Sequence, residues 1–373
     1  MRSLIVAIFL SSIPLASAPA AEPLRLPIVV PITGPLALEG ASQRNGALLA
    51  IEEGSGGLEL ATEETDTAAS AEAALTALAR ALSRPNVLAV AASIFGPQML
   101  AMMPVAEQAR VPLITVSGTA RLTELGNHFV FRFFPADPVV KLAQARYVVE
   151  DARRSRVALL YQTTAYGQSG RDALGEAFRK LGASIVHEEG LALGVKDLAP
   201  ALAKAKSAGA DVLVLQLHSG PTALAVKQAA AMKLGLPIVA GSAMHQPSTA
   251  ALLEPAELAG VCAESGSAPT TGGTPELERF AAAYRKRFGS EPDGFAAAQY
   301  DGIRMAIAAL ARGARTPDAV REYLATQSHQ GAAMSYRSDG KGNMAHDAVI
   351  VCYDGQSRTP RLAKRYANPL GAR

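Results

Sequence analysis

The stretch ITVSGTA, residues 114–120, runs from an apolar strand pattern into Ser117, Gly118 and Thr119. Hydroxyls and main-chain N–H groups gathered at a strand end can hold a carboxylate or another hydrogen-bond acceptor. No strong acid, base or metal ligand stands beside them, so they can bind a group without acting on it. A second ending of this kind lies one strand earlier, in LAVAASIFGPQML (88–100). There a strand closes at Ser93 and a helix opens near Pro97, which turns the N–H groups of Phe95 and Gly96 toward the mouth of a cleft. Either loop alone reads as ordinary N-capping by a hydroxyl. The two together read as a cradle.

The common signatures of reactive chemistry are missing. GPLALEGAS (34–42) has its glycines at the wrong spacing for a phosphate-binding loop and lacks the lysine. The dinucleotide glycine triplet, HExxH, CxxC and GxSxG do not occur. The histidines, at 128, 187, 218, 245, 329 and 346, never fall at the i, i+4 spacing that clasps a metal on a helix. His218 and His245 follow strand ends, where a cleft lies in an open α/β sheet. No enzyme, metal or cofactor is expected from this pattern.

Such loops need a sheet to present them. Short apolar runs (24–32, 58–66, 86–93, 111–117, 156–162, 184–189, 211–217 and 237–241) alternate with Ala-rich helical segments. Alternation of this kind predicts an α/β fold with parallel sheets covered by helices on both faces. At 373 residues the chain exceeds a single core, so two lobes are expected. Links rich in Phe, Pro or Gly at 129–138 and 265–275, and a third near 327–332, read as crossings between lobes with a cleft between them. From residue 331 the sequence reads as a hairpin around a Gly/Asp/Lys turn.

Composition narrows the class further. An apolar share of 49% with 18% charged residues describes a globular chain, and a net charge of +3 is too weak to point to nucleic acid or an anionic membrane. The first 20 residues, with Arg2 before SLIVAIFLSSIPLASA and small residues after it, read as a secretory signal cleaved near Ala20. Cys262 and Cys352 both sit in strand-like runs, and spacing leaves open whether they bridge or stay as buried thiols.

Four segments in order resemble the exported solute-binding proteins of branched-chain amino acid ABC transporters, the leucine/isoleucine/valine-binding type. They are PITGPLALEG with RNGALLAIEE, PVAEQARVPLITVSGTARLTELGNHFVFRFFPAD, VALLYQTTAYGQSGRDALGEAFRKLGA, and FAAAYRKRFGSEPDGFAAAQYDGIRMAIAAL. The resemblance implies a type I periplasmic binding fold: two doubly wound parallel-sheet lobes joined by a three-stranded hinge. The expected division is residues 21–135 plus 267–328 for the N-terminal lobe and 136–266 plus 329–373 for the C-terminal lobe. It further implies a periplasmic monomer that closes over a small-molecule ligand and delivers it to an ABC permease in the inner membrane. A ligand-sensing receptor module of the same fold is the alternative.

Carried over by motif, Ser117, Gly118 and Thr119 match a carboxylate-holding loop, and Tyr166 matches a tyrosine that contacts ligand from the second lobe. His218 or Ser219 stands where the family often has another tyrosine. Phe95 replaces a serine, leaving the Phe95 and Gly96 amides to serve. Glu39 falls where an aromatic commonly lines the cleft. After PIVAG (237–241) the family's amino-acid binders carry an acid, whereas this chain reads SAMHQPS with Ala243 nearest. An ammonium left without a charged partner in a closed cleft is costly. Either Glu39 meets a cationic group from the other side, or the ligand has no ammonium and its body lies on Phe95 and Met244. The absence of Trp disfavours a sugar. Asp301, in QYDGIR, reads as a helix-surface or hinge residue.

Overall fold

A computed structural model describes residues 22–54, 56–270 and 273–371. The signal assigned to residues 1–20 lies outside the described residues, as do residues 271 and 272 of the 265–275 link.

The first sheet is built from five short strands, β1 (Ile28–Val30), β2 (Glu64–Asp66), β3 (Val90–Ala92), β4 (Leu113–Thr115) and β5 (Val130–Arg132). They pair in parallel in the order β2-β1-β3-β4-β5. β1, β3 and β4 are wholly buried, which is why they fall within apolar runs of the sequence; β5 is buried too, but it lies in the 129–138 stretch read as a crossing, where Arg132 interrupts the apolar pattern. Helices α1 (Ala37–Glu53), α2 (Ala71–Leu82) and α3 (Gly96–Ala109) make the crossovers. Ser70 caps α2 by accepting from the N–H of Ala73 at 3.2 Å.

After β5 the chain passes through Phe133–Ala136 into α4 (Asp137–Arg146) and the second sheet. Its strands are β6 (Arg156–Gln162), β7 (Ser184–Leu191), β8 (Val212–Gln216), β9 (Ile238–Ala240) and β10 (Val261–Ser265). The connecting helices are α5 (Ala165–Lys180), α6 (Ala199–Ser207) and α7 (Ser219–Ala231). The chain then returns to the first lobe as α8 (Pro275–Phe288), α9 (Gly294–Ala311) and α10 (Pro317–Thr326), with α9 packed on α1. Two last strands, β11 (Ala348–Cys352) and β12 (Arg361–Tyr366), complete the second sheet as β12-β11-β10-β9-β8-β6-β7, both antiparallel to their neighbours.

The hairpin expected from residue 331 does not form as such. Ser335–Arg337 pairs back with Ser328–Gln330, while Ala348–Cys352 takes the free edge of β10. Asp301 of α9 explains the difference: it accepts from the N–H groups of Ala332 and Ala333 and from the Tyr336 hydroxyl, so it holds this turn on the first lobe. Met344 is held there too, its N–H donating to the Arg132 carbonyl at 2.9 Å. The third passage therefore lies between Met344 and Ala348, C-terminal to the 327–332 stretch read from sequence.

The cysteine question has a direct answer. Cys262 on β10 stands opposite Cys352 on β11 in register, and the two are joined as a disulfide. Among the described residues no helix is long and apolar enough to cross a membrane.

Candidate ligand-binding cleft

Three elements of the first lobe bring side chains to the gap between the sheets. On α1, Glu39, Ser42 and Gln43 share an inward face, as residues three and four apart do, and all are buried. Gln43 takes the Ile94 N–H on its Oε1 at 2.9 Å and donates to the Ala92 carbonyl and to Gln299. This fixes the exit of β3. Ser93 then accepts from the Phe95 N–H at 3.0 Å and donates to Gln98 at 2.6 Å, which aims Ile94 and Phe95 into the gap.

The loop after β4 is shaped by a buried cation. Arg132 has no solvent exposure, and its Nη1 donates to the carbonyls of Ser117, Gly118 and Thr119 at 3.2, 2.8 and 2.9 Å. Burial lowers its pKa to about 10, which leaves it charged at neutral pH. With its carbonyls gathered on the guanidinium, the loop presents Gly118 to the gap. A side chain at Gly118 would fall 2.6 Å from the carboxylate of Asp137, so any larger residue there would have to displace that buried side chain.

The second lobe answers with residues at the ends of β6, β8 and β9. Thr164 caps α5 and meets His218 Nε2 at 3.3 Å. The rings of Tyr166 and His218 lie 5.0 Å apart, and Phe95 of the opposite lobe meets His218 edge-on at 5.8 Å. Ser242 donates to Glu264 at 2.7 Å, and Glu264 is paired with Lys141, both without solvent exposure.

Between these walls lies a cavity of about 20 Å³ lined by Glu39, Ile94, Phe95, Val116, Gly118, Phe134, Tyr166, His218, Ser242, Ala243 and Phe295. A space of that size admits a water or two, so an organic solute enters only with the lobes further apart.

Polar contacts close the gap beside the cavity. The Ser219 N–H, first of α7, donates to Glu39 Oε1 at 2.9 Å. The Ser219 hydroxyl donates to Gln246 at 2.8 Å, and Gln246 donates to Asp293 at 2.7 Å. Ser42 donates to the other oxygen of Asp293, which returns the ring to α1.

The chemistry of these groups is that of holding. Burial lowers the pKa of His218 to about 4, so its ring is neutral. Burial, then the fields of Glu264 and Asp137, raise Tyr166 well above its ordinary value, so its hydroxyl stays a donor. Burial also raises Glu39, against the Ser219 hydrogen bonds that lower it. Tyr166 Oη and Glu39 Oε2 are buried without a hydrogen-bond partner. Among the described residues no three His, Cys, Asp or Glu side chains are grouped to hold a metal.

The family model described as periplasmic binding protein matches residues 23–357. The chain belongs to the periplasmic binding protein family. Members of that family and its fold neighbours are solute-binding proteins, not enzymes. The Leu/Ile/Val-binding protein homolog 7 of Brucella abortus (strain 2308) is 26% identical over 329 residues, covering 83% of this chain and 82% of that protein. The branched-chain amino acid transporter substrate-binding protein LivJ of Streptococcus pneumoniae, in complex with isoleucine, superposes with a TM-score of 0.83 at 24% identity over 92% of this chain and 100% of its own. A solute-binding protein of an ABC transporter from Rhodopseudomonas palustris BisB5, in complex with 3,4-dihydroxybenzoic acid, gives 0.82 at 21% identity over 92% and 97%.

Of the residues singled out from sequence, Glu39, Phe95, Gly118, Tyr166 and His218 line the cavity of this periplasmic binding protein, and Gly96, Ser117, Thr119 and Met244 do not. Ser117 is wholly buried behind Gly118. Thr119 lies against Gly96 and opens onto a separate groove beside α5. Met244 is in the second lobe's core, where its carbonyl accepts from the Tyr353 hydroxyl at 2.8 Å. Its place at the wall is taken by Ser242 and Ala243 of the same short turn. His245 stacks near Phe134 and Phe295 and accepts from the Gly294 N–H at 2.9 Å, outside the cavity. Ile94, Val116, Phe134 and Phe295 were not picked out, since a buried aliphatic or aromatic side chain carries no sequence signal that separates a cleft wall from a core.

Proposed function

We propose that this chain is the exported substrate-binding component of an ABC importer, capturing a small organic solute between its lobes for delivery to a membrane permease. The observation that carries this reading is the cavity itself. Its wall is mostly apolar, with Ile94, Phe95, Val116, Phe134 and Phe295, and carries a few convergent polar groups from both lobes. Structural neighbours of the same fold are bound to isoleucine in one case and to an aromatic acid in another. Both ligands pair a compact apolar body with a polar end, which suits this wall.

Gly118 lets the ligand approach the loop after β4, with Ser117 and Thr119 shaping that loop from behind and Phe95 beside it, and the unpartnered Tyr166 hydroxyl is the donor for the ligand's acceptor group. Tyr166 and His218 close from the second lobe. In the cell the protein works in the periplasm as a monomer, its signal removed near Ala20.

A thermal-shift screen of residues 21–373 against amino acids, aromatic acids, short-chain acids and amides tests the reading. A ligand at 100 times its Kd adds about 2.7 kcal/mol to stability. Small-angle scattering with that ligand should show compaction. A screen in which no small solute raises the melting temperature counts against solute capture.

A further inference from the structure

On the reading that this cleft captures a solute, we infer that Glu39 sets the solute's class. Its Oε2 accepts a hydrogen bond from a nitrogen donor on the ligand, an ammonium, amidine or amide, while the ligand's body lies on the apolar wall.

The carboxylate is divided between two tasks. Oε1 takes the Ser219 N–H at the start of α7, so the positive end of that helix already has its anion. An anionic ligand group pointed at this corner would meet Glu39 instead of a free helix terminus. Oε2 is buried and has no hydrogen-bond partner in the protein, and Glu39 is one of the residues that line the gap. A buried carboxylate oxygen left this way is expensive unless a donor arrives.

Asp137 and Glu264 also hold buried oxygens without partners, but neither they nor Asp293 line the cavity. Asp293 receives Ser42 and Ala296 on one oxygen and Gln246 on the other. Glu264 is set behind Ser242 and paired with Lys141, and it does not reach the cavity. Asp137 lies beneath Gly118, off the cavity wall. No lysine or arginine lines the cavity, and His218 beside Glu39 is neutral. Glu39 is therefore the one acidic side chain in the cavity lining, and it sits on the first lobe with an oxygen to spare.

Matched probes test the assignment by isothermal titration calorimetry. Leucine, 4-methylpentanoate and 3-methylbutylamine share one apolar body, and benzamidine, benzylamine and benzoate share another. Wild-type protein should bind the nitrogen-bearing members of at least one set about tenfold or more tighter than the nitrogen-free acid, the worth of one hydrogen bond to a charged group. Glu39→Gln, which keeps an oxygen for Ser219, should erase that preference in protein that still unfolds in a single cooperative transition. Acids binding the wild type as tightly as their nitrogen-bearing mates overturn the assignment, a comparison that needs no variant. So does a preference that survives in Glu39→Gln. Absence of binding by every probe is a different failure: it overturns solute capture of this kind, and the role of Glu39 falls with it.

Discussion

The two walls of the cleft are held up by different chemistry. Behind the first, Gln43, Ser93, Gln98, Thr115 and Gln299 tie the ends of β3 and β4 together with neutral hydrogen bonds, and Arg132 is solvated by carbonyls instead of an acid. Behind the second, Ser242 leans on a fully buried ion pair, Lys141 and Glu264, and the next strand is bolted by a disulfide. Neutral networks lose stability bond by bond, whereas a buried ion pair is an all-or-nothing element: removing one partner strands a charge. The second wall should therefore be the more fragile to single substitutions and the first the more tolerant.

Lys141→Met is the severest test of this contrast. It leaves Glu264 buried with one hydroxyl donor and should cost about 3–5 kcal/mol in urea denaturation. The double variant Lys141→Met with Glu264→Gln should recover most of that loss. If the single variant is as stable as wild type, the second wall does not depend on its ion pair.

The disulfide comes next. It spans 90 residues of sequence and ties β10 to β11, so Cys352→Ser should cost about 2–4 kcal/mol. Reductant should lower the melting temperature of the wild type and leave the variant unmoved.

On the first wall the matching change is Gln98→Leu. Gln98 accepts from Ser93 and Thr67 and donates to the carbonyls of Thr67 and Ser70. Its loss should cost about 1–3 kcal/mol, less than Lys141→Met. Denaturation curves of the two variants side by side decide the order, and a reversed order would mean the walls were misjudged.

What sequence made visible follows from what is local. Val- and Ile-rich strands buried on both faces, and helices opened by Ser70, Thr164, Thr274 or Asp293, announce themselves within a few residues. So did the strand ends that carry Phe95, Gly118 and His218, because an open α/β sheet puts its loops at one edge. The polar ties were invisible for the opposite reason. Ser42 reaches Asp293 across 251 residues, Glu39 reaches Ser219 across 180, and Lys141 reaches Glu264 across 123, distances at which no periodicity speaks. Met244 is misplaced by sequence for a smaller reason: in the 3-10 turn Ser242–His245 each step rotates the side chain by about 120°, which carries Met244 from the wall that Ser242 and Ala243 share into the core.

The smallest expected effect separates the walls by acid. His218 of the second wall is neutral in the closed cleft, its pKa lowered by burial from 6.5 to about 4. A lowered histidine means the unfolded chain takes up a proton between those values that the folded chain refuses. Its contribution to stability is complete above pH 6.5 and fades as the pH falls toward 4, by about 1 kcal/mol at pH 5.5. Carboxyls raised by burial run the other way: Asp137, raised from 3.8 to about 6, favours the folded state at the acid end and loses that contribution as the pH rises through 6. Glu39, which faces His218 from α1, has the same sign. The total pH profile therefore mixes opposing slopes, and the informative quantity is a difference. Urea denaturation of wild type and His218→Gln at pH 7.5 and 5.5 should show the wild type losing about 1 kcal/mol more than the variant on acidification. Equal losses would mean that His218 takes up its proton in the folded chain as readily as in the unfolded one, so that burial does not hold it neutral; a wild type that loses less than the variant would mean that its pKa is raised instead.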